Sequence, residues 1–388
     1  MKPANTLLEQ TGTTIFTVMS ALSLQHGAIN LGQGFPDTEG PADIVQAAAD
    51  ALLDHRNQYP PLTGLPALKS AVAAANQRFY GLPIDPATGV CVTSGATEAI
   101  TACLMALLNP GDEAILIEPL YDTYLPVVKM LGATARLVRL EPPGWELPRA
   151  ALAAAFSPKT KLLLLNSPMN PTGKVFTPDE LDFIAGLLTQ HDSYAVCDEV
   201  YEHLVFPPAR HIPLMTLPGM AARTLRIGSA GKTFSLTGWK VGYISGPPDL
   251  ISLTAKAHQN LTFTTAPNLQ RAVALGLAKP DDYFTTLAGE LMARRDILNT
   301  GLKRLGFITL PTDGSYFITA DISPLNFQGD DVEFCRAITT QAGVAAIPVS
   351  AFYAGAAPRN YVRFAFCKQP DVLRAALARL ENWRAGKS

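Results

Sequence analysis

The sequence is short of the features that announce several classes of protein. Its five cysteines (Cys91, Cys103, Cys197, Cys335 and Cys367) are scattered, odd in number and never in a CxxC spacing. That usage argues against a disulfide framework or a zinc site, leaves no metal-ligand set to propose, and fits a reducing compartment. Charged residues make up 16% of the chain, nearly cancel to a formal net charge of −2, and form no lysine- or arginine-rich run. Neither nucleic acid nor an anionic membrane surface is an expected partner. No apolar run approaches transmembrane length, and the opening "MKPANTLLEQ" lacks the apolar stretch of a secretion signal. Repeats, low-complexity tracts and flexible linkers are also missing. The expectation is a soluble cytoplasmic protein whose 388 residues suit one large domain and a smaller one.

What is present is a rhythm. From about residue 90, short apolar runs alternate with segments of helical period. "VCVTSG" (90–95) precedes "TEAITACLMALL", "EAILIE" (113–118) precedes "YDTYLPVVKML", and "KLLLLN" (161–166) precedes "DELDFIAGLLTQ". In the last of these, Leu181, Ile184, Leu187 and Leu188 fall on one helical face. "SYAVCD" (193–198), "TLRIGS" (224–229) and "VGYISG" (241–246) add three more strand candidates. Near-continuous apolar runs suit strands buried on both faces, which predicts an α/β fold with a mostly parallel sheet covered by helices. The chain ends break the rhythm. The tail offers strands "SYFITAD" (315–321), "VAAIP" (344–348) and "YVRFAF" (361–366), then a helix opened by Pro370 with Val372, Leu373, Ala376, Leu377 and Leu380 on one face. The expected organisation is a large domain over residues 46–284 and a small α+β domain built from residues 1–45 and 285–388.

Polar residues close the predicted strands: Ser94-Gly95, Glu118, Asn166, Asp198 and Ser229. In open α/β sheets the ligand crevice lies outside the carboxyl ends of the strands, so chemistry is expected there. Two nucleotide motifs fail on inspection. "GSAGKTFSLTGWKVGY" (228–243) imitates a phosphate loop, but the first glycine of Gly-x-x-x-x-Gly-Lys-Ser/Thr is replaced by Arg226. "LGQGFPD" (31–37) begins a dinucleotide fingerprint but has Asp37 where the third glycine belongs.

Lys232 makes better sense as the amine that condenses with an aldehyde cofactor, pyridoxal 5′-phosphate (PLP). Such a cofactor needs an anion cradle, an acid at its pyridine nitrogen, donors to its ring oxygen and a stacking surface. Ser229, Lys240 and the helix start at Gly95-Ala96-Thr97 suit the cradle. Asp198, at the end of a buried strand, suits the nitrogen, Tyr201 and Asn170 suit the ring oxygen, and Tyr121 offers a stacking ring.

In the same order along the chain, Ser229-x-x-Lys232-x₅-Gly238-x-Lys240-x-Gly242, "NSPMNPTG", "CDEVYEHL" and "YVRFAF" resemble the landmarks of fold-type I PLP-dependent aminotransferases, class I/II. Through "NLGQGFPD", "NQYPPLTG" and the lysine motif the chain is most similar to methionine aminotransferases and to kynurenine aminotransferases/cysteine-conjugate β-lyases. The resemblance implies the following roles. Lys232 carries the cofactor, Asp198 partners its pyridine nitrogen, and Asn170 and Tyr201 contact its ring oxygen. Ser229, Lys240, Ala96 and Thr97 hold the phosphate, and Tyr121 stacks on the ring. Tyr59 reaches the phosphate in the neighbouring subunit, which implies a homodimer with shared sites. Arg363 clamps the substrate α-carboxylate as a fork, with Asn170 and Gly34 in the same pocket. The wider class usually has arginine where Lys240 stands.

The implied reaction is ping-pong transfer of an amino group from an amino acid to a 2-oxo acid, with Lys232 as general base. No second arginine is evident for a dicarboxylic side chain, whereas Phe16, Phe35, Tyr59 and Phe263 (the last from the partner subunit) supply aromatic surface. The expected donor is neutral, of the methionine, phenylalanine, glutamine or kynurenine type. Alternatives are C–S β-elimination from cysteine conjugates and N-succinyl-diaminopimelate transamination. A PLP-binding regulator would need a DNA-binding head for which the chain has no room ahead of its motifs.

Overall fold

The computed structural model describes residues 2, 4–9, 12–54 and 56–386. Its strands, in chain order, are β1 (Ile29–Asn30), β2 (Val90–Ser94), β3 (Glu113–Glu118), β4 (Thr134–Arg139), β5 (Thr160–Asn166), β6 (Tyr194–Asp198), β7 (Thr224–Ser229), β8 (Val241–Ser245), β9 (Ile308–Thr309), β10 (Phe317–Asp321), β11 (Val344–Ala345), β12 (Ile347–Pro348) and β13 (Tyr361–Ala365). A seven-stranded sheet runs in the order β2-β8-β7-β6-β5-β3-β4. Every pairing in it is parallel except the two made by β8, which runs against both β2 and β7.

The apolar runs behave as their composition requires. In β5, Leu162 and Leu164 enter one apolar cluster while Leu163 and Leu165 enter another. Alternate side chains of one strand thus feed cores on opposite faces of the sheet. Helices cover both faces. One of them, Pro178–Gln190, starts in a capping box in which the Thr177 side chain accepts from Glu180 N and the Glu180 carboxylate accepts from Thr177 N. The exception to the reading is β4. It lies at the sheet edge with much of "TARLVR" exposed, so it carries no continuous apolar run to announce it.

The chain ends meet. "VAAIP" is divided between two sheets: β11 pairs in parallel with β1, and β12 pairs antiparallel with β13. With β10 and β9, the latter pair completes a four-stranded antiparallel sheet, β12-β13-β10-β9. Leu31 O accepts from Ala365 N at 2.6 Å, which carries the loop after β1 onto β13. The final helix, Pro370–Ala385, buries Leu373, Ala376, Leu377 and Leu380. It packs so closely on the helix Asp281–Arg304 that a Cβ on Gly301 would lie 2.2 Å from Leu377 Cδ1. That 24-residue helix runs without a break through the expected boundary at 284/285. Among the described residues no helix is long and apolar enough to cross a membrane.

Candidate active site

The carboxyl edge of the large sheet opens into a cleft of about 320 Å³. Six strands of the sheet run toward this edge and end there, and β8, running the other way, begins there. Asn166, Asp198 and Ser229 therefore line the cleft together with Lys240, the residue just ahead of β8. Lys232, Asn170, Tyr201, Tyr121, Ala96, Thr97, Gly34 and Arg363 line it too. Ser94 and Glu118 do not. Glu118 instead accepts from Ala354 N at 2.6 Å and lies 3.5 Å from Arg139, a structural use of a strand-end carboxylate.

Lys232 sits on the short helical turn Ala230–Thr233 that follows β7. Its Nζ donates to Tyr316 Oη at 3.0 Å and to Gly34 O at 3.3 Å, and among the described residues no carboxylate pairs with it. Burial pulls the ammonium down to about 8, against the opposing pull of Cys367 and Asp198, so a reactive neutral amine is within reach near neutral pH. Asp198 is the counterpart. Burial lifts its carboxyl to about 6, opposed by a 2.5 Å hydrogen bond from Tyr124 Oη and a weaker one from Val200 N. Asn166 Nδ2 donates to Asp198 O at 2.9 Å, and Asn166 Oδ1 accepts from Asn170 N at 2.8 Å, so one asparagine ties two strand ends into register.

Arg363 projects from β13 and is only 1% exposed. Nη1 donates to Asn170 Oδ1 at 2.7 Å and Nη2 to Gly32 O at 2.5 Å, while the guanidinium lies 3.9 Å from the Phe317 ring centre. Its Nε is buried with no partner. Burial lowers this group to about 10. Gly34 cannot be anything larger without movement, because a Cβ there would meet Phe317 Cζ at 2.6 Å.

The helix Gly95–Leu107 points its amino end at the cleft. Gly95 has φ +77°, and a Cβ on Gly242 would lie 2.6 Å from Gly95 C, so β8 and this helix start touch backbone to backbone. Lys240, itself at φ +54°, brings its Nζ to within 3.4 Å of where a Gly95 Cβ would be. Its ammonium makes no hydrogen bond or ion pair among the described residues. Two sources of positive potential thus converge on one end of the cleft.

Three expectations lie elsewhere. Tyr59 and Phe263 are 80% and 42% exposed, outside this chain's cleft, and pack edge to face with ring centres 5.1 Å apart. Phe35 is not in the cleft either: Lys368 Nζ donates to its carbonyl at 2.7 Å and sits 4.3 Å from its ring centre, which holds it outward. Phe16 does line the cleft. The sequence reading missed Tyr124, Tyr316 and the pair Glu98–His258. Glu98 accepts from Ser94 N at 2.7 Å and meets His258 Nδ1 at 2.8 Å, while His258 Nε2 faces Leu62 O at 3.1 Å. This pair anchors the start of the Gly95 helix to the loop that carries Tyr59. Arg226, which broke the phosphate-loop pattern, is buried inside β7 and bonded to Glu199, Glu202 and Asn76.

Residues 26–380 match the family described as aminotransferase class I and II. The chain belongs to that family. This aminotransferase is 39% identical to the methionine aminotransferase of Escherichia coli, the alignment covering 97% of each chain. It is 38% identical to kynurenine–oxoglutarate transaminase 1 of Mus musculus, over 94% of this chain and 93% of that one. The solved N-succinyldiaminopimelate aminotransferase of Mycobacterium tuberculosis superposes with a TM-score of 0.95 at 46% identity, over 98% of this chain and 100% of the other. The enzyme is accordingly a PLP-dependent aminotransferase of fold type I, acting between amino acids and 2-oxo acids.

The cleft fits that cofactor on its own evidence. Convergence of an unpaired Lys240 ammonium and a helix amino end suits a polyanion, and the missing Cβ atoms of Gly95 and Gly242 let Lys240 and β8 approach that helix start. A buried carboxyl at Asp198 shares the cleft with a lysine amine that burial lowers to about 8.

Proposed function

We propose that this aminotransferase takes its amino group from a neutral sulfur-containing or aromatic L-amino acid of the methionine, phenylalanine, glutamine or kynurenine type. The observation that carries the reading is that, among the described residues lining the cleft, Arg363 is the one arginine and its Nε lacks a partner. One guanidinium serves one carboxylate, the α-carboxylate, and the walls beyond it are the rings of Phe16, Phe317 and Tyr121.

In this reading Ser229, Lys240, Ala96 and Thr97 hold the phosphate, and Asp198 keeps a proton on the pyridine nitrogen. Asn170 and Tyr201 bond the ring oxygen, and Tyr121 covers the ring. When bound, PLP supplies the electron sink for negative charge at the substrate Cα. Lys232 Nζ would be the general base that takes the proton from the substrate Cα and hands it on within the same cleft. Arg363, Asn170 and Gly34 fix the substrate so that this Cα–H bond faces Lys232. The exposed Tyr59 and Phe263 complete the cleft of a second copy in a homodimer, and the small domain is formed by residues 1–45 and 285–388. The protein works in the cytoplasm.

A panel of amino donors with one common 2-oxo acid tests the substrate class, and Lys232→Ala tests the site. Neutral sulfur-containing or aromatic donors should lead the panel, and the variant should lose turnover together with the visible absorbance of the lysine-bound cofactor. Retention of both in Lys232→Ala refutes the site. A second reading, transamination of N-succinyl-diaminopimelate, is favoured by the 46% identity to the Mycobacterium tuberculosis enzyme named for that substrate. Including N-succinyl-diaminopimelate among the donors separates the two.

A further inference from the structure

Among the described residues, the charged side chains lining the cleft are Lys232, Lys240, Arg363, Asp198 and Asp122. The reading above employs all of them except Asp122. This residue follows Tyr121 and is half-buried in the cleft wall. Among the described residues no other group donates a hydrogen bond to its carboxylate and no ion pair forms; only its own backbone amide helps it. Burial raises its carboxyl above the usual range, and the Arg363 guanidinium is near enough to pull it back. An unpaired carboxylate in a partly desolvated wall is costly to fold, and its negative charge reaches whatever occupies the cleft.

We propose that Asp122 is a specificity-determining residue that excludes donors with a side-chain carboxylate and favours side chains that are neutral or present N–H groups. The inference rests on the aminotransferase reading of this cleft. Its logic is one of charge count. Arg363 satisfies the α-carboxylate, and Lys240 with the helix start faces the cofactor phosphate. A second substrate carboxylate would find no cation and would share the cleft with Asp122. An amide or aniline N–H of the same shape would instead meet a free acceptor. N-succinyl-diaminopimelate carries carboxylates beyond the α position, and Asp122 would disfavour it in the same way.

Glutarate and its monoamide, glutaramate, have nearly the same shape, differ by one charge and lack the amino group that would react. Their dissociation constants can be read on the holoenzyme from the change in its visible absorbance. Asp122→Asn should tighten glutarate about tenfold relative to glutaramate, the order expected for removing one like charge at intermediate dielectric. The ratio of kcat/KM for glutamine over glutamate should fall by a similar factor, about tenfold, through a gain on glutamate. Asp122→Ser should do the same, which separates charge from the shape of asparagine. If the glutarate-to-glutaramate ratio stays within about twofold of the parent's in both variants, Asp122 does not select against acidic donors. A parent that turns over none of the neutral donors refutes the proposed function instead, and leaves the binding comparison as a separate result.

Discussion

Replacing Tyr124 with phenylalanine removes one oxygen atom and should move the titration of Asp198 by a pH unit or more. The Tyr124 hydroxyl is buried and donates to Asp198 Oδ2 at 2.5 Å, the largest influence opposing the burial that lifts this carboxyl from 3.8 to about 6. A hydrogen bond to an ionised group is worth about 1.5–3 kcal/mol. Its loss should therefore raise the midpoint of Asp198 by about 1–2 pH units, to about 7–8 in the apoprotein. A carboxyl whose folded midpoint lies above its unfolded one binds more protons in the fold, so stability is lost as pH rises from 3.8 to about 6. Tyr124→Phe extends that window upward and should make the apoprotein about 1.5–3 kcal/mol less stable than the parent at pH 8. At pH 4, where Asp198 is largely protonated in both, the difference should shrink to about 1 kcal/mol, the worth of a neutral hydrogen bond. Denaturant unfolding of both apoproteins across this range measures the difference. The ¹³C carboxyl titration, assigned by comparison with Asp198→Asn, reads the midpoint directly. A difference independent of pH, or a midpoint that stays put or falls, would refute the assignment of this hydrogen bond to the ionised carboxylate.

Other perturbations test other parts of the site. The fold holds Lys232 neutral above about pH 8 while the unfolded chain keeps the proton to 10.5, so this residue should make the apoprotein more stable as pH rises through that window. Lys232→Met should flatten the rise in unfolding free energy, and an unchanged slope would count against the depressed amine. Arg363→Lys keeps the charge but loses the planar fork that bonds Asn170 and Gly32, and should cut kcat/KM for methionine about 100-fold in steady-state assays. Gly242→Ala drives a Cβ to 2.6 Å from Gly95 C and should cost about 1–3 kcal/mol of stability. It should also weaken PLP retention, measured by equilibrium dialysis; normal values for both would mean that the strand–helix contact yields easily.

The sequence disclosed what burial and local chemistry dictate. Strands such as "KLLLLN" are continuous apolar runs because both faces are covered, and Asp198 or Ser229 stands out as a polar residue ending such a run. The edge strand β4 has one strand neighbour and much exposed surface, so its composition carries no comparable sign. "VAAIP" reads as one strand, yet the chain changes sheets at Ala346, a choice made by β1 and β13 rather than by the segment itself. Tyr124 looks like core in an amphipathic segment, and it is buried; only the tertiary contact across 74 residues shows its hydroxyl at work. Tyr316 and the Glu98–His258 pair are hidden in the same way, by contacts spanning 84 and 160 residues. Asp122 passed unnoticed because one carboxylate among 33 acidic residues means nothing until its cleft is known.

The reversed direction of β8 has a consequence for how the two lysines are spaced. Strands that run parallel must be joined by a long crossover before the chain returns to the same edge. Because β7 and β8 pair antiparallel, with Ser229 opposite Gly242, the chain turns back within a short loop and presents Lys232 and Lys240 to one cleft. The interval between them is therefore a ruler cut to the length of that loop. Adding or deleting a residue within 233–239 would leave both lysines in the sequence and both strands in the sheet, yet separate the reactive amine from the charge that holds its cofactor.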